Sequence, residues 1–453
     1  GQQTGLFLGP LYTVYKAASA IRLARALADR WGTPVVPVFW LQTEDHDAAE
    51  IATCHVARGS EEPLTLRLDV SADAVSVAHR ALPDAVRDAL ATLGDALSRL
   101  PHADEHLSLL TRHYRPGAGW GAAFAGVLAT LFADEGLVLL DPRDPALAAL
   151  ASPMHRRALT ESPRIAAALA ERVRALEASG WHATVHVRDE APLSFFHPDG
   201  PEGARFRLAA APGGFVEVGG RRTHTIEKLL RDLDTRPASF STSALLRPIL
   251  QDTWLPTVAY VGGPAEVAYF SQLPPLYAAF DLPVPIVVPR ARLRLLEDAT
   301  RRALTRRGLT PAEACRPIDD VLASARAGAP GELDGDRLAA RVASGVERVL
   351  ADIAPVLRDA GELAERSLEK TRSSFARSAG KLGRSYDRAR RLRDRELLDD
   401  VRRAQARLLP CGVPQERYVG LPSFAARYGQ RAFIERVLAA AEPLQIGIVD
   451  LDL

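Results

Sequence analysis

The sequence predicts an α/β protein: a doubly wound parallel sheet in the first 290 residues, then a helical connector and an antiparallel helical arm. Three observations carry this. Short continuous apolar runs alternate with longer runs of helical periodicity up to about residue 290, the pattern of strands buried on both faces between crossover helices. From about 292 to 409 such runs disappear. Within that stretch, residues 360–409 are charged, free of proline until Pro410, and carry sparse apolar side chains that suit a narrow helical seam.

Gly9-Pro10 precedes a periodic run to about Arg30 whose apolar members are Leu11, Val14, Ile21, Leu23 and Leu27. Pro10 suits the first helical position, where its missing N–H costs nothing, and Gly32 closes the helix. VVPVFW at 35–40 reads as a buried strand that ends abruptly in Gln42-Thr43-Glu44-Asp45-His46-Asp47. Helices are expected at about 83–99 and 119–134, and GLVLLD at 136–141 is a second buried strand, closed by Pro142. The stretches 181–188, 204–209 and 215–218 alternate over short spans, with turn chemistry at Pro212-Gly213-Gly214, and predict an antiparallel meander added to the core. The parallel pattern resumes in TVAYV at 257–261, which meets Gly262-Gly263-Pro264 and a helix to about Tyr269, and in PIVVP at 285–289, ending at Arg290.

In the arm, Leu363, Leu368, Phe375, Leu382, Tyr386, Leu392, Leu397, Val401 and Leu408 form an irregular seam. An antiparallel coiled coil follows naturally, with Gly380 and Gly383 marking a break. Residues 410–453 return to core-like composition, with IGIVD at 446–450 as a last strand. The expected divisions are a core over 1–290, a connector over 291–359, the arm over 360–409 and a return segment over 410–453 that packs on the core.

At 453 residues, 47% apolar and 25% charged, the chain can bury large cores in two or three domains. Its 57 basic and 56 acidic residues leave a formal charge of +1, which gives no general attraction for nucleic acid or membrane surfaces. Cys54, Cys315 and Cys411 lie far apart without a CxxC; this suits a reducing, cytoplasmic setting and argues against structural zinc. No apolar run reaches the roughly 18 residues of a spanning helix. The chain opens on Gly1-Gln2-Gln3 without an initiating Met or a signal peptide, so a preceding segment is expected and the first domain is expected to be incomplete.

Ligands of open parallel sheets bind outside the carboxyl ends of the strands, and three polar clusters fall there. Glu44, Asp45, His46 and Asp47 follow the 35–40 strand; three carboxylates beside an imidazole could supply general acid–base groups or hold a cation, against the alternative that Asp45 or Asp47 merely caps the next helix. Gly262 and Gly263, with Glu266 just inside the helix, would leave backbone N–H groups for a carboxylate or phosphate, though a Gly-Gly-Pro turn is also ordinary strand-to-helix chemistry. Gln2 and Gln3 open the third cluster, in which Tyr12, Tyr15, Lys16 and Ser19 share one helix face suited to a sugar or carboxylate, or else simply solvated. Arg247 could clamp a carboxylate, with Gln251 one turn away and Asp252 beside it; a buried ion pair is the competing account. His182 and His186 share a face of an expected strand and are taken as structural. No metal set is evident, and neither GxxxxGK[ST] nor GxSxG occurs.

Taken together, GQQTGLFLGPLYTVYKAASAIRLA, PVVPVFWLQTEDHDAAEI, LLRPILQDTWLPTVAYVGGPAEVAYFSQL, PIVVPR, LEKT and CGVPQERYVGLPSFAARYG resemble, in order and over nearly the whole chain, the bacillithiol biosynthesis cysteine-adding enzymes. The resemblance implies a Rossmann-like core, a helical connector and a coiled coil through which subunits dimerise. It implies a ligase that adds L-cysteine to glucosaminyl-malate as an amide, giving bacillithiol, with ATP or another adenine nucleotide as activator or as a ligand elsewhere. Lys16, Tyr12, Tyr15, Gln2 and Gln3 would then hold malate carboxylates or sugar hydroxyls. Glu44, Asp45, His46 and Asp47 would position or deprotonate the amine, and Arg247 and Arg290 would add charge beside Gly262 and Gly263. A sugar-nucleotide-dependent transferase and a non-enzymatic ligand-sensing scaffold are the alternatives.

Overall fold

The computed structural model describes residues 1–58, 61–187, 191–327 and 334–453. They form two compact units, residues 1–295 with 413–453, and residues 296–412. The second unit takes in most of the connector expected at 291–359 and the arm expected at 360–409.

Thirteen strands are present among the described residues: β1 (Val38–Trp40), β2 (Thr53–Arg58), β3 (Glu61–Arg67), β4 (Val138–Leu140), β5 (Ser194–Phe196), β6 (Phe206–Ala211), β7 (Gly214–Glu217), β8 (Thr223–Thr225), β9 (Phe240–Thr242), β10 (Ala259–Gly262), β11 (Ile286–Pro289), β12 (Arg292–Leu296) and β13 (Ile448–Asp452). The four apolar runs expected to be parallel strands are so. β1 pairs with β4 and β10 with β11, both in parallel. The two pairs are separate two-stranded sheets among the described residues, not one doubly wound sheet. Between them runs an apolar groove of about 490 Å³, walled by Val35, Val38, Val258 and Val261. Such open edges explain why Val36, Val138, Val258 and Ile286 are exposed although their runs read as fully buried.

The insertion at 194–242 is a five-stranded antiparallel sheet in the order β8-β7-β6-β5-β9. The strand expected at 181–188 is absent over 181–187, and Arg188 lies outside the described residues. There the Gln272 side chain takes the Thr184 and Val185 amides and gives its own N–H to the Val185 carbonyl, so a glutamine stands where a neighbouring strand would. His182 and His186 are accordingly exposed rather than on a strand. The hairpin β2–β3 and strand β12, which pairs with β13, were not legible as strands.

The 12–31 helix (Tyr12–Trp31) closes on Gly32 in the left-handed region. The loop before it is held rigidly. Phe7 and Leu8 adopt positive φ angles of 49° and 73°, a conformation that costs a side-chain-bearing residue about 1–2 kcal/mol. Both are buried, Trp120 Nε1 donates to the Thr4 carbonyl at 2.7 Å and the Leu8 amide donates to the Tyr114 hydroxyl at 3.3 Å. Core burial of this loop offsets the strain.

In the helical unit, a 25-residue helix (Gly335–Asp359) turns at Gly361, φ 103°, into a 47-residue helix (Glu362–Leu408), about 70 Å long at 1.5 Å per residue. Leu350, Ala354 and Leu368 pack where the two meet. The long helix runs unbroken through Gly380 and Gly383. Gly383 serves close approach instead: a Cβ there would collide with the Gly335 carbonyl oxygen, and the Gly335 amide donates to Asp387 at 2.8 Å. Further along, Ala404 and Leu408 pack with Leu304 and Ala314. No helix among the described residues is long and apolar enough to cross a membrane.

Candidate active site

The first unit holds a polar cavity of about 350 Å³ at the carboxyl ends of β1 and β10, where loops and helix starts converge. Backbone pairing brings the opening of the chain there: Gln2 forms a parallel bridge with Leu41 just after β1, and its carbonyl accepts from the Gln42 amide at 3.0 Å. Gln2, Gln3, Tyr12, Lys16, Asp45, Arg247, Gly263, Glu266 and Arg290, expected from five separate stretches of sequence, all line this one cavity.

Lys16, one of its lining residues, is 5% exposed. Its ammonium forms an ion pair with Glu266 and donates to the Gln2 side-chain oxygen at 2.9 Å. Glu266 also accepts from the Tyr260 hydroxyl at 2.6 Å and from the Gly263 amide at 2.7 Å. Burial alone would raise the Glu266 pKa, but the adjacent Lys16 ammonium holds the carboxyl well below its ordinary range. Glu266 therefore stays ionised, and the Gly263 N–H expected to face a ligand is bound inside the turn.

The acidic tetrad divides. Asp45 faces the cavity, with one oxygen accepting from Gln3 Nε2 at 2.7 Å and the other from Arg205 at 3.1 Å and the His46 amide at 2.7 Å. His46 stands beside it, half-buried, with Nδ1 3.3 Å from Arg205. Asp47 caps the short helix Ala48–Ile51 by accepting from the Ala49 and Glu50 amides. Glu44 is buried outside the cavity, bound to the Thr242 amide and hydroxyl on β9. A capping aspartate and a carboxylate satisfied in the interior are structural solutions to the need for a partner.

Other candidates also separate. Tyr15 is fully buried in the core rather than in the cavity, because its position one residue before Lys16 turns it inward. Arg247, buried, donates to Tyr260, Tyr269 and Gln251. Gln251 in turn donates to Asp252, which accepts from Tyr277, so Gln251 and Asp252 brace Arg247 from behind. Gly262 is buried in β10, its carbonyl accepting from the Arg290 amide at 2.8 Å. Arg290 forms a two-pronged pair with Glu416 at 2.8 and 3.1 Å and ties the return segment to the cavity wall.

Gln42, Glu50, Tyr269 and Arg417 also line the cavity, and Arg205 supports it from the inserted sheet. Arg417 lies within the CGVPQERYVG stretch that carried the family likeness, and Glu50 within DHDAAEI. Arg205 gave no signal, since an arginine within the alternating 204–209 segment reads as the solvated face of a strand.

A parallel-stranded core with a polar cavity at the carboxyl ends of its strands defines a Rossmann-like ligand-binding protein. The family described as "Bacillithiol biosynthesis BshC, N-terminal Rossmann-like domain" matches residues 1–291, and the chain belongs to the BshC family. It is 34% identical over 434 residues to a protein of Salinibacter ruber, covering 94% of this chain and 78% of that one. Identity is 36% over 433 residues to one of Koribacter versatilis, covering 95% and 79%, and 34% over 440 residues to one of Solibacter usitatus, also covering 95% and 79%. All three bear the description "Putative cysteine ligase BshC".

Proposed function

We propose that this protein is a carbon–nitrogen ligase of bacillithiol biosynthesis that joins L-cysteine to glucosaminyl-malate through an amide. The observation that supports it is the convergence of Gln2, Gln3, Tyr12, Lys16, Asp45 and Arg417 on one cavity. The amide groups of Gln2 and Gln3 and the Tyr12 hydroxyl suit sugar hydroxyls, and Arg417 at the rim suits a malate carboxylate. In the reaction the sugar amine forms a C–N bond to the cysteine carboxyl carbon and loses a proton, while one carboxyl C–O bond breaks and its oxygen departs with the bonding pair and the activating group it carries. In this reading Asp45, held by three donors, takes that proton.

Departure of the oxygen requires activation, for which the family likeness implies an adenine nucleotide. Lys16 and the Gly263 amide are both bound to Glu266 and offer a phosphate no free donor, while Arg417 suits a phosphate as well as a carboxylate. No nucleotide step is assigned to the cavity. Incubation of the protein with glucosaminyl-malate, cysteine and ATP, followed by mass spectrometry, should reveal the thiol product; a folded protein that yields none refutes the ligase.

The same reading makes the protein a cytoplasmic homodimer joined through a coiled coil. Val349, Ile353, Leu363, Phe375, Leu382 and Leu392 are exposed along the two long helices, an apolar surface suited to a second copy. Deletion of residues 362–408 should convert a dimer to a monomer in sedimentation, and a dimer that survives the deletion refutes this interface.

A further inference from the structure

Arg205 belongs to none of the three polar clusters, yet its guanidinium reaches two of the tetrad residues at once. It stands just before β6 and is 6% exposed. Nη1 donates to Asp45 at 3.1 Å and lies 3.3 Å from His46 Nδ1; Nη2 donates to the Thr242 carbonyl at 2.7 Å and Nε to the Ser241 hydroxyl at 3.3 Å. The guanidinium carbon also sits 4.0 Å from the centre of the Phe195 ring. β5 and β9 of the inserted sheet thus fix the fork from behind, and its free edge is presented to the tetrad.

An arginine has donors only. The His46 nitrogen facing it must therefore accept, which leaves Nδ1 bare and puts the proton of the neutral ring on Nε2. We infer that Arg205 is a positioning residue that aims the Asp45 carboxylate into the cavity and holds His46 as the neutral Nε2–H tautomer, a hydrogen-bond donor rather than a proton acceptor. The inference rests on the reading of this cavity as the catalytic site. It reverses the role that a histidine beside three carboxylates suggests. The groups facing His46 are Arg205, Arg80, Asp45 and Asp47; burial first, then Arg205, holds its pKa below the ordinary value against the two aspartates. Were Nδ1 protonated, its hydrogen would compete with Arg205 for the Asp45 oxygen 3.7 Å away.

Nitrogen-15 spectra of histidine-labelled protein, with His46 assigned by its loss in His46→Gln, test this without a variant of Arg205. The expected result at neutral pH is a bare Nδ1 and a protonated Nε2; a protonated Nδ1 overturns the inference. In Arg205→Lys, whose ammonium lacks the fork, His46 should lose its tautomer preference. The kcat should fall about tenfold to a hundredfold with KM nearly unchanged, as expected for a misaimed group. An unchanged kcat, or a rise in KM alone, overturns the positioning role. Should the wild-type protein make no product, the ligase reading fails while the spectrum still decides the tautomer.

Discussion

Asp45→Asn should lower the rate of product formation by about two to four orders of magnitude, the range expected when a general base is lost. The amide side chain keeps the size and can still accept from Arg205, so the fold should be spared. It cannot take a proton from the sugar amine. Rates measured at saturating glucosaminyl-malate and cysteine should show the loss in kcat. A variant with near-wild-type kcat would remove Asp45 from the chemistry and leave it as a link between Gln3 and Arg205.

The second large effect concerns stability. Lys16→Met should cost roughly 3–5 kcal/mol, because it strands the Glu266 carboxylate in a buried setting. Adding Glu266→Gln should recover much of that loss, since no charge is then left unpaired. Urea unfolding of the two single variants and the double variant measures the coupling. If the double variant is as unstable as the sum of the singles, the ion pair is not what holds the chain opening to the 264–270 helix.

The parallel strands were legible because runs such as VVPVFW and PIVVP carry their burial in composition, and all four such runs form parallel strands. What the sequence hid was pairing between segments. β12 reads as RLRLL, whose arginines conceal a strand half buried on one face, and Gln272 substitutes by side-chain hydrogen bonds for a strand at 181–187. Site residues were legible where polar groups interrupt apolar runs, as at Lys16, Asp45 and Glu266. Spacing could not tell which tetrad member faces the cavity, because that depends on Thr242 and Arg205, about 160 to 200 residues away in sequence. The same limit applies to Tyr15: helical spacing placed it near Tyr12 and Lys16, but the direction of the apolar core decides which of the three turns inward.

The left-handed bend at Phe7 and Leu8, wedged beneath Trp120 and Tyr114, has a consequence for how a ligand is met. The amides of Gln2 and Gln3 are immobilised during folding, and the entropy of ordering them is already spent when a molecule arrives. Association then loses little to rearrangement of that wall, and on that side selectivity falls to shape: a guest one group too large finds no give there.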